Sequence, residues 1–295
     1  MIKLKSKRLE IIFEEPGERY CGPRYDWSSF ITEIILDNKH QLLGVESTVS
    51  GPSYEGKGLC GEFCMDKPLG YDEARVGDFC MKIGVGLLQK KDEMDYFFAD
   101  TFNVQPVAWD MTVEDNSINL FCRQELVNGF AYNLYKQITL EENALLIDYT
   151  LTNTGHKAIA TSEYSHNFFC FNNRNINAEY ELIVDFASKL NMKDRRLTCK
   201  NGVFLFEKEL LSSSFCSDVN VCNGQVGSWT LTNKVVGVSV KESLSKPIKK
   251  FAIFAKPKVF CPEIFVDIKV DRGERFSWQR KWTVENDQVS IVHPN

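Results

Sequence analysis

Histidine is scarce in this chain: four residues among 295. Histidine-dependent chemistry therefore has few places to reside. No run of 18 apolar residues occurs, which excludes a membrane-spanning helix of the usual kind. The start, Met1-Ile2-Lys3-Leu4-Lys5-Ser6-Lys7-Arg8, has charges with no apolar stretch behind them, which argues against a secretory leader and for a cytoplasmic protein. Basic excess is also missing, since the formal net charge is -5. A nucleic-acid partner is not expected, because phosphate binding needs a basic stripe. The densest basic stretch, Lys189 to Lys200 with Lys193, Arg195 and Arg196, lacks interleaved aromatics and reads as a solvated hairpin. The ten cysteines are scattered. The closest pair, Cys60 and Cys64, makes neither a zinc nor a redox motif, so they read as small core residues in a reducing compartment. Gly84-Val85-Gly86 lacks the third glycine and the following helix of a dinucleotide fingerprint. No metal or cofactor is expected, and no feature sets an oligomeric state.

What the chain does have is strand signal. Hydrophobic residues make up 43% and charged ones 25%, an ordinary soluble globular balance, with 21 phenylalanines. Convincing amphipathic helices are absent, and turn residues recur every ten or so positions. Phe30 to Leu36 reads as a strand, followed by the polar turn Asp37-Asn38-Lys39-His40, which makes His40 a surface turn residue. Phe130, Tyr132, Leu134, Ile138 and Leu140 give one apolar face. Ile147, Tyr149 and Leu151 give the next, ending at Thr154-Gly155-His156-Lys157, so His156 is another turn residue. Ile183 to Phe186, Val203 to Phe206, Ser228 to Leu231, Val235 to Val240, Phe251 to Phe254 and Ile264 to Val270 continue the series. Phe276, Trp278, Arg280, Trp282 and Val284 alternate along a long closing strand. No repeat or linker divides the chain. The pattern predicts an all-β fold, one large antiparallel β-sandwich domain over residues 1–295.

Three stretches stand out against this background. Tyr164-Ser165-His166-Asn167-Phe168-Phe169 contains the one histidine placed inside a strand-like run. Alternation puts Tyr164, His166 and Phe168 on one face, and Glu163, Ser165 and Asn167 on the other. Gly17 to Ser28, with Arg24 and three aromatics, has the composition of a loop that lines a ligand site. Gly51 to Gly86 holds eight glycines among Glu62, Asp72, Glu73, Asp78 and Lys82. It reads as a long irregular connection on the binding face of a sheet.

The order of these features resembles the galactose mutarotase-like superfamily, the aldose 1-epimerases and their relatives. The residues that carry the resemblance are Tyr149-Thr150-Leu151-Thr152-Asn153-Thr154-Gly155, then Tyr164 to Phe169, then Pro262-Glu263, and the ending Gly273-Glu274-Arg275-Phe276-Ser277-Trp278. Together they span Arg24 to Val284. The resemblance implies a β-supersandwich whose concave face holds a small-molecule sugar, with His166 as acid and Glu263 as base. It further implies Arg24 as a sugar-binding arginine. The sequence departs from the galactose-type pattern in lacking a His-Gly-Gly segment ahead of His166, and offers Glu62, Asp72 and Lys82 in its place. Arg24 and Lys82 would donate to sugar hydroxyls or to an anionic group, Glu62 and Asp72 would accept from hydroxyls, and Tyr164 or Phe168 would stack on the ring.

Anomer exchange asks for one base to take the proton of the C1 hydroxyl and one acid to protonate the ring oxygen. A histidine titrates near pH 6.5 and a glutamate near 4.3, so both suit neutral conditions. A carbohydrate-binding protein without turnover is the alternative the same residues allow.

Overall fold

The computed structural model describes residues 1–47, 56–186, 194–218 and 225–286. Among these residues the chain is built from antiparallel strands, and its single helical turn is the short Phe171–Asn173 segment. Nine strands form one sheet and ten another, with a three-stranded sheet beside them. Apolar side chains alternate inward along the long strands. Tyr132, Leu134 and Ile138 from one, and Ile147, Tyr149 and Leu151 from the next, are all buried in a core shared by the two large sheets. Burial of this area supplies the main drive for folding, at roughly 25 cal/mol per Å². Among the described residues no helix is long and apolar enough to cross a membrane.

The nine-stranded sheet positions the candidate site. At its centre lies Ile159–Asn167, paired on one side with Leu59–Phe63 and on the other with Val259–Val270. The alternation expected for Tyr164 to Phe168 is what the strand shows. Tyr164, His166 and Phe168 line a cavity, while Glu163 and Asn167 turn into the space between the large sheets.

Those inward groups clamp the two sheets together. Arg280, on Arg275–Asn286 of the ten-stranded sheet, donates to Glu163 at 2.9 Å and to Glu242 at 2.6 Å. Trp278 and Trp282 donate their indole N–H groups to Glu163 at 3.0 Å and to the Asn167 carbonyl oxygen at 2.9 Å. Asn167 in turn donates to Glu242 at 3.0 Å and to the Pro262 carbonyl at 2.7 Å. Buried charges are tolerated here because every one is paired and hydrogen-bonded.

Several expectations need correction. His40 is 4% exposed and lies in the short strand His40–Gln41, with Asn172 3.2 Å from its Nδ1. Asp37 and Asn38 adopt positive φ and complete the turn earlier than the polar run suggested, so His40 is already back in the sheet. The glycine-rich stretch is not one irregular connection. It contains the strands Leu59–Phe63 and Phe79–Lys82, and the first of these is buried throughout. Gly58, at φ +61, serves close approach: a Cβ there would lie 2.1 Å from the Ile31 carbonyl oxygen. Gly51 lies outside the described residues, as do Lys189, Lys193 and His293. The strand expected at Val235 begins at Val238, because the Asn233 side chain accepts the N–H groups of Val235 and Val236 and holds a turn there. Cys21 is exposed and Cys199 half-buried, whereas the other seven described cysteines are buried.

Candidate active site

His166 is held between two carboxylates supplied by the strands on either side of its own. Its Nε2 lies 3.1 Å from Glu62 on Leu59–Phe63, and its Nδ1 lies 2.8 Å from Glu263 on Val259–Val270. Register explains the convergence. Tyr164 pairs with Glu62 on one side and with Phe265 on the other, so side chains two residues along each strand share its face. With a carboxylate at each nitrogen, both N–H groups of an imidazolium find an acceptor.

Glu62 is the hub beneath the ring. It is fully buried and accepts from Arg24 Nε at 2.9 Å, from Tyr164 Oη at 2.8 Å and from Lys82 Nζ at 3.2 Å. Burial pushes the Glu62 carboxyl up, but the charges of Arg24 and Lys82 and the hydrogen bond from His166 outweigh it. The carboxyl is therefore held well below the usual carboxylate range. Burial pushes His166 down, while the charge of Glu263 and the hydrogen bonds to Glu263 and Glu62 push it up more strongly. The net effect keeps the imidazolium protonated beyond its ordinary range. Burial likewise weakens the charges of Arg24 and Lys82, and Glu62 restores them.

Above these groups opens a cavity of about 370 Å³ whose walls are mainly aromatic. The His166 ring stacks on Phe168, with centroids 5.6 Å apart, and meets the edge of Tyr25 at 5.1 Å. Tyr164 stacks on Phe265 at 4.0 Å, and the Arg24 guanidinium lies over the Phe98 ring at 4.2 Å. Gly56 packs so closely that a Cβ there would come within 2.3 Å of Phe168 and 2.9 Å of the Tyr25 hydroxyl. That hydroxyl is buried and has no hydrogen-bond partner among the described residues. A buried hydroxyl without a partner is costly to the fold.

Arg24, Tyr164, His166 and Glu263 therefore line one cavity. Glu62 and Lys82 do not reach it. Both are fully buried behind these residues, with their polar atoms turned to protein partners. Asp72 is exposed, pairs with Lys67 at 2.6 Å and takes no part in the lining. Sequence reasoning pointed to the loop that carries Tyr25 but to neither Phe98 nor Phe265. Phe265 was within reach of it, two residues beyond Glu263 on the same face of a strand, whereas Phe98 lies in an irregular segment with no periodicity to follow.

His166, Cys261 and Glu263 offer nitrogen, sulfur and oxygen atoms all within 4.8 Å of one another, which is the spacing of a metal-binding set. Two of the three are already committed. The Cys261 sulfur accepts the Asn167 N–H at 3.0 Å, burial raises its thiol well above the ordinary range, and His166 Nδ1 donates to Glu263. A metal held there would have to displace these protons.

No protein-family model matches the sequence, and no curated protein matches it. Solved structures do. A galactose mutarotase related enzyme from Lactobacillus acidophilus superposes with a TM-score of 0.61 at 11% identity, covering 97% of each chain. A galactose mutarotase-like protein from Lactobacillus casei gives 0.56 at 13%, covering 97% of this chain and all of that one. An aldose epimerase homologue from C. elegans gives 0.53 at 11%, covering 97% and 98%. The fold is the galactose mutarotase-like sandwich. At such identities the likeness concerns the backbone, and the mutarotase-like fold is a scaffold on which side chains decide the chemistry.

Proposed function

We propose that the protein is an aldose 1-epimerase-like enzyme that interconverts the anomers of a reducing sugar, with Glu263 as base and His166 as acid. The observation that carries this reading is the contact of 2.8 Å between His166 Nδ1 and Glu263 at the cavity floor. The two sugar atoms that exchange protons, the C1 hydroxyl oxygen and the ring oxygen, are both bonded to C1. An acid and a base on adjacent atoms address them together.

In this mechanism the sugar displaces the Nδ1–H···Glu263 hydrogen bond. Glu263 takes the C1 hydroxyl proton while Nδ1 gives its proton to the ring oxygen, and the C1–ring oxygen bond opens to the free aldehyde. Rotation about the C1–C2 bond presents the other face, and reversal of the two transfers closes the ring. Glu62, on the far side, keeps Nε2 protonated and the imidazole in plane. Arg24 supplies a polar contact, and the aromatic walls give the sugar an apolar surround. General acid–base groups of this kind each contribute roughly a hundredfold to ten-thousandfold.

Sugar binding without turnover is the second reading. It is favoured by the same tightness that recommends the first: both ring nitrogens are bonded to carboxylates. Anomer exchange measured by NMR on a panel of aldoses separates the two. Exchange that is catalysed by the parent and lost in Glu263→Gln supports the epimerase. Parent and variant rates that are equal sink it.

A further inference from the structure

A second cavity, of about 570 Å³, adjoins the first, and Met65, Lys250 and Phe265 line both. Its remaining charged walls are unequal. Lys67, Lys249 and Lys269 stand with Lys250 against Asp66 and Asp267, four ammonium groups to two carboxylates. Lys67 is paired with Asp72, and Lys249 lies 3.7 Å from Asp267. Lys250 and Lys269 make no ion pair among the described residues. The Lys250 ammonium sits 4.6 Å over the Phe265 ring, whose stacking on Tyr164 leads directly back to the His166 cavity. A path therefore runs from the acid–base pair, across an aromatic wall, to a half-buried cation that has no carboxylate partner among the described residues.

We propose that the site takes a reducing disaccharide whose second ring carries an anionic group. This rests on the epimerase reading for the position of the first ring. The reducing ring occupies the aromatic cavity at His166 and Glu263, the second ring crosses Met65 and Phe265, and its anionic group meets Lys250 in the second cavity. A single neutral ring leaves the larger cavity and its positive potential unused. An anionic group at Lys250 gains a charge-assisted hydrogen bond without displacing a protein carboxylate.

The test is equilibrium binding by calorimetry, with anomer exchange followed by NMR on the same samples. The probes are a glucuronic acid-containing disaccharide, a sulfated disaccharide, lactose, glucuronic acid and glucose 6-phosphate. The expected result is that an acidic disaccharide binds about tenfold or more tightly than lactose, the size of one charge-assisted hydrogen bond. Comparison of its carboxylated and sulfated forms identifies the anion. Lys250→Met removes most of that preference, lowering affinity for the acidic disaccharide far more than for lactose, and added salt has the same sense. Equal affinity for lactose and both acidic disaccharides overturns the proposal. So does binding of glucuronic acid or glucose 6-phosphate as tight as that of the disaccharides, which would confine the ligand to the first cavity. Lys250→Met matching the parent on every probe overturns it as well. Tight binding of an acidic disaccharide with no exchange on any sugar sinks the epimerase reading and leaves the subsite standing. Exchange on monosaccharides with no acidic preference does the reverse.

Discussion

Two groups of buried charge sit back to back on the strand Ile159–Asn167, and they differ in how they are closed. On the inner face, Glu163 and Asn167 meet Arg280, Glu242 and the indoles of Trp278 and Trp282 from the opposing sheet, and Trp229 donates to Glu242. The cation there is an arginine, which does not titrate in proteins. On the outer face, His166 lies between Glu62 and Glu263 beside a cavity, and its side chain, unlike an arginine, can give up a proton. Both faces are polar and both are buried. Only the outer one combines a titratable cation, an open side and an orphaned hydroxyl, that of Tyr25. A buried ion pair is therefore no sign of a site. The distinguishing marks are a proton that can leave and space for something to receive it.

Substitution breaks the comparison most sharply at the outer cluster. Glu263→Gln and His166→Asn should each slow anomer exchange by roughly a hundredfold to ten-thousandfold, measured by NMR at equal folded concentration. Both are buried partners in one ion pair, so stability should fall as well. Arg280→Met should lower stability without touching the rate. Removing one partner from a buried ion pair costs about 3–5 kcal/mol, read from urea unfolding, and here two carboxylates are left uncompensated. The fraction that remains folded should keep its exchange rate. If Arg280→Met instead abolishes exchange in folded protein, the inner cluster belongs to the site.

The sequence made the two faces legible as faces but not as two kinds of cluster. Period-two alternation placed Tyr164, His166 and Phe168 together because it needs only one strand and no knowledge of its neighbours. The all-β class was readable for the same reason, repeated along the chain. The burial of Glu62 was hidden because the three donors around it come from positions 24, 82 and 164, far apart in sequence. The pairing of Arg280 with Glu163, 117 residues apart, was hidden likewise. His40 was misplaced by the length of a turn. Long-range register decides the first two, and a single sequence carries little record of it.

Tyr25 offers a smaller and cleaner probe of the difference between the faces. If its hydroxyl serves the ligand, Tyr25→Phe should leave stability unchanged or raise it by about 1 kcal/mol, since an unsatisfied buried group costs roughly that much or more. The same change should raise KM for the sugar while leaving kcat nearly intact. A drop in stability would mean that the hydroxyl is satisfied in the fold and belongs with the inner, closed kind of group.

The smallest effect lies in the pH dependence of stability, where the two clusters should occupy different windows. Burial pushes the Glu242 carboxyl up to about 7 against the pull of Arg280, whereas an unfolded glutamate titrates near 4.3. The folded state thus holds a proton that the unfolded chain has released. That contribution is complete below about pH 4.3 and is lost as the pH rises towards 7. His166 is also raised, so its contribution is complete below about pH 6.5 and is lost only as the pH rises through its higher folded value. Glu62 runs the other way, stabilising above about pH 4.3 and failing as the pH falls through its depressed value. Melting temperatures across this range should therefore lose their lower alkaline slope in Glu242→Gln and their upper one in His166→Asn. The two windows are joined structurally through Asn167, which donates to Glu242 and follows His166 in the chain. If either substitution flattens both slopes, the strand transmits protonation from one face to the other, and the clusters are a single titrating unit.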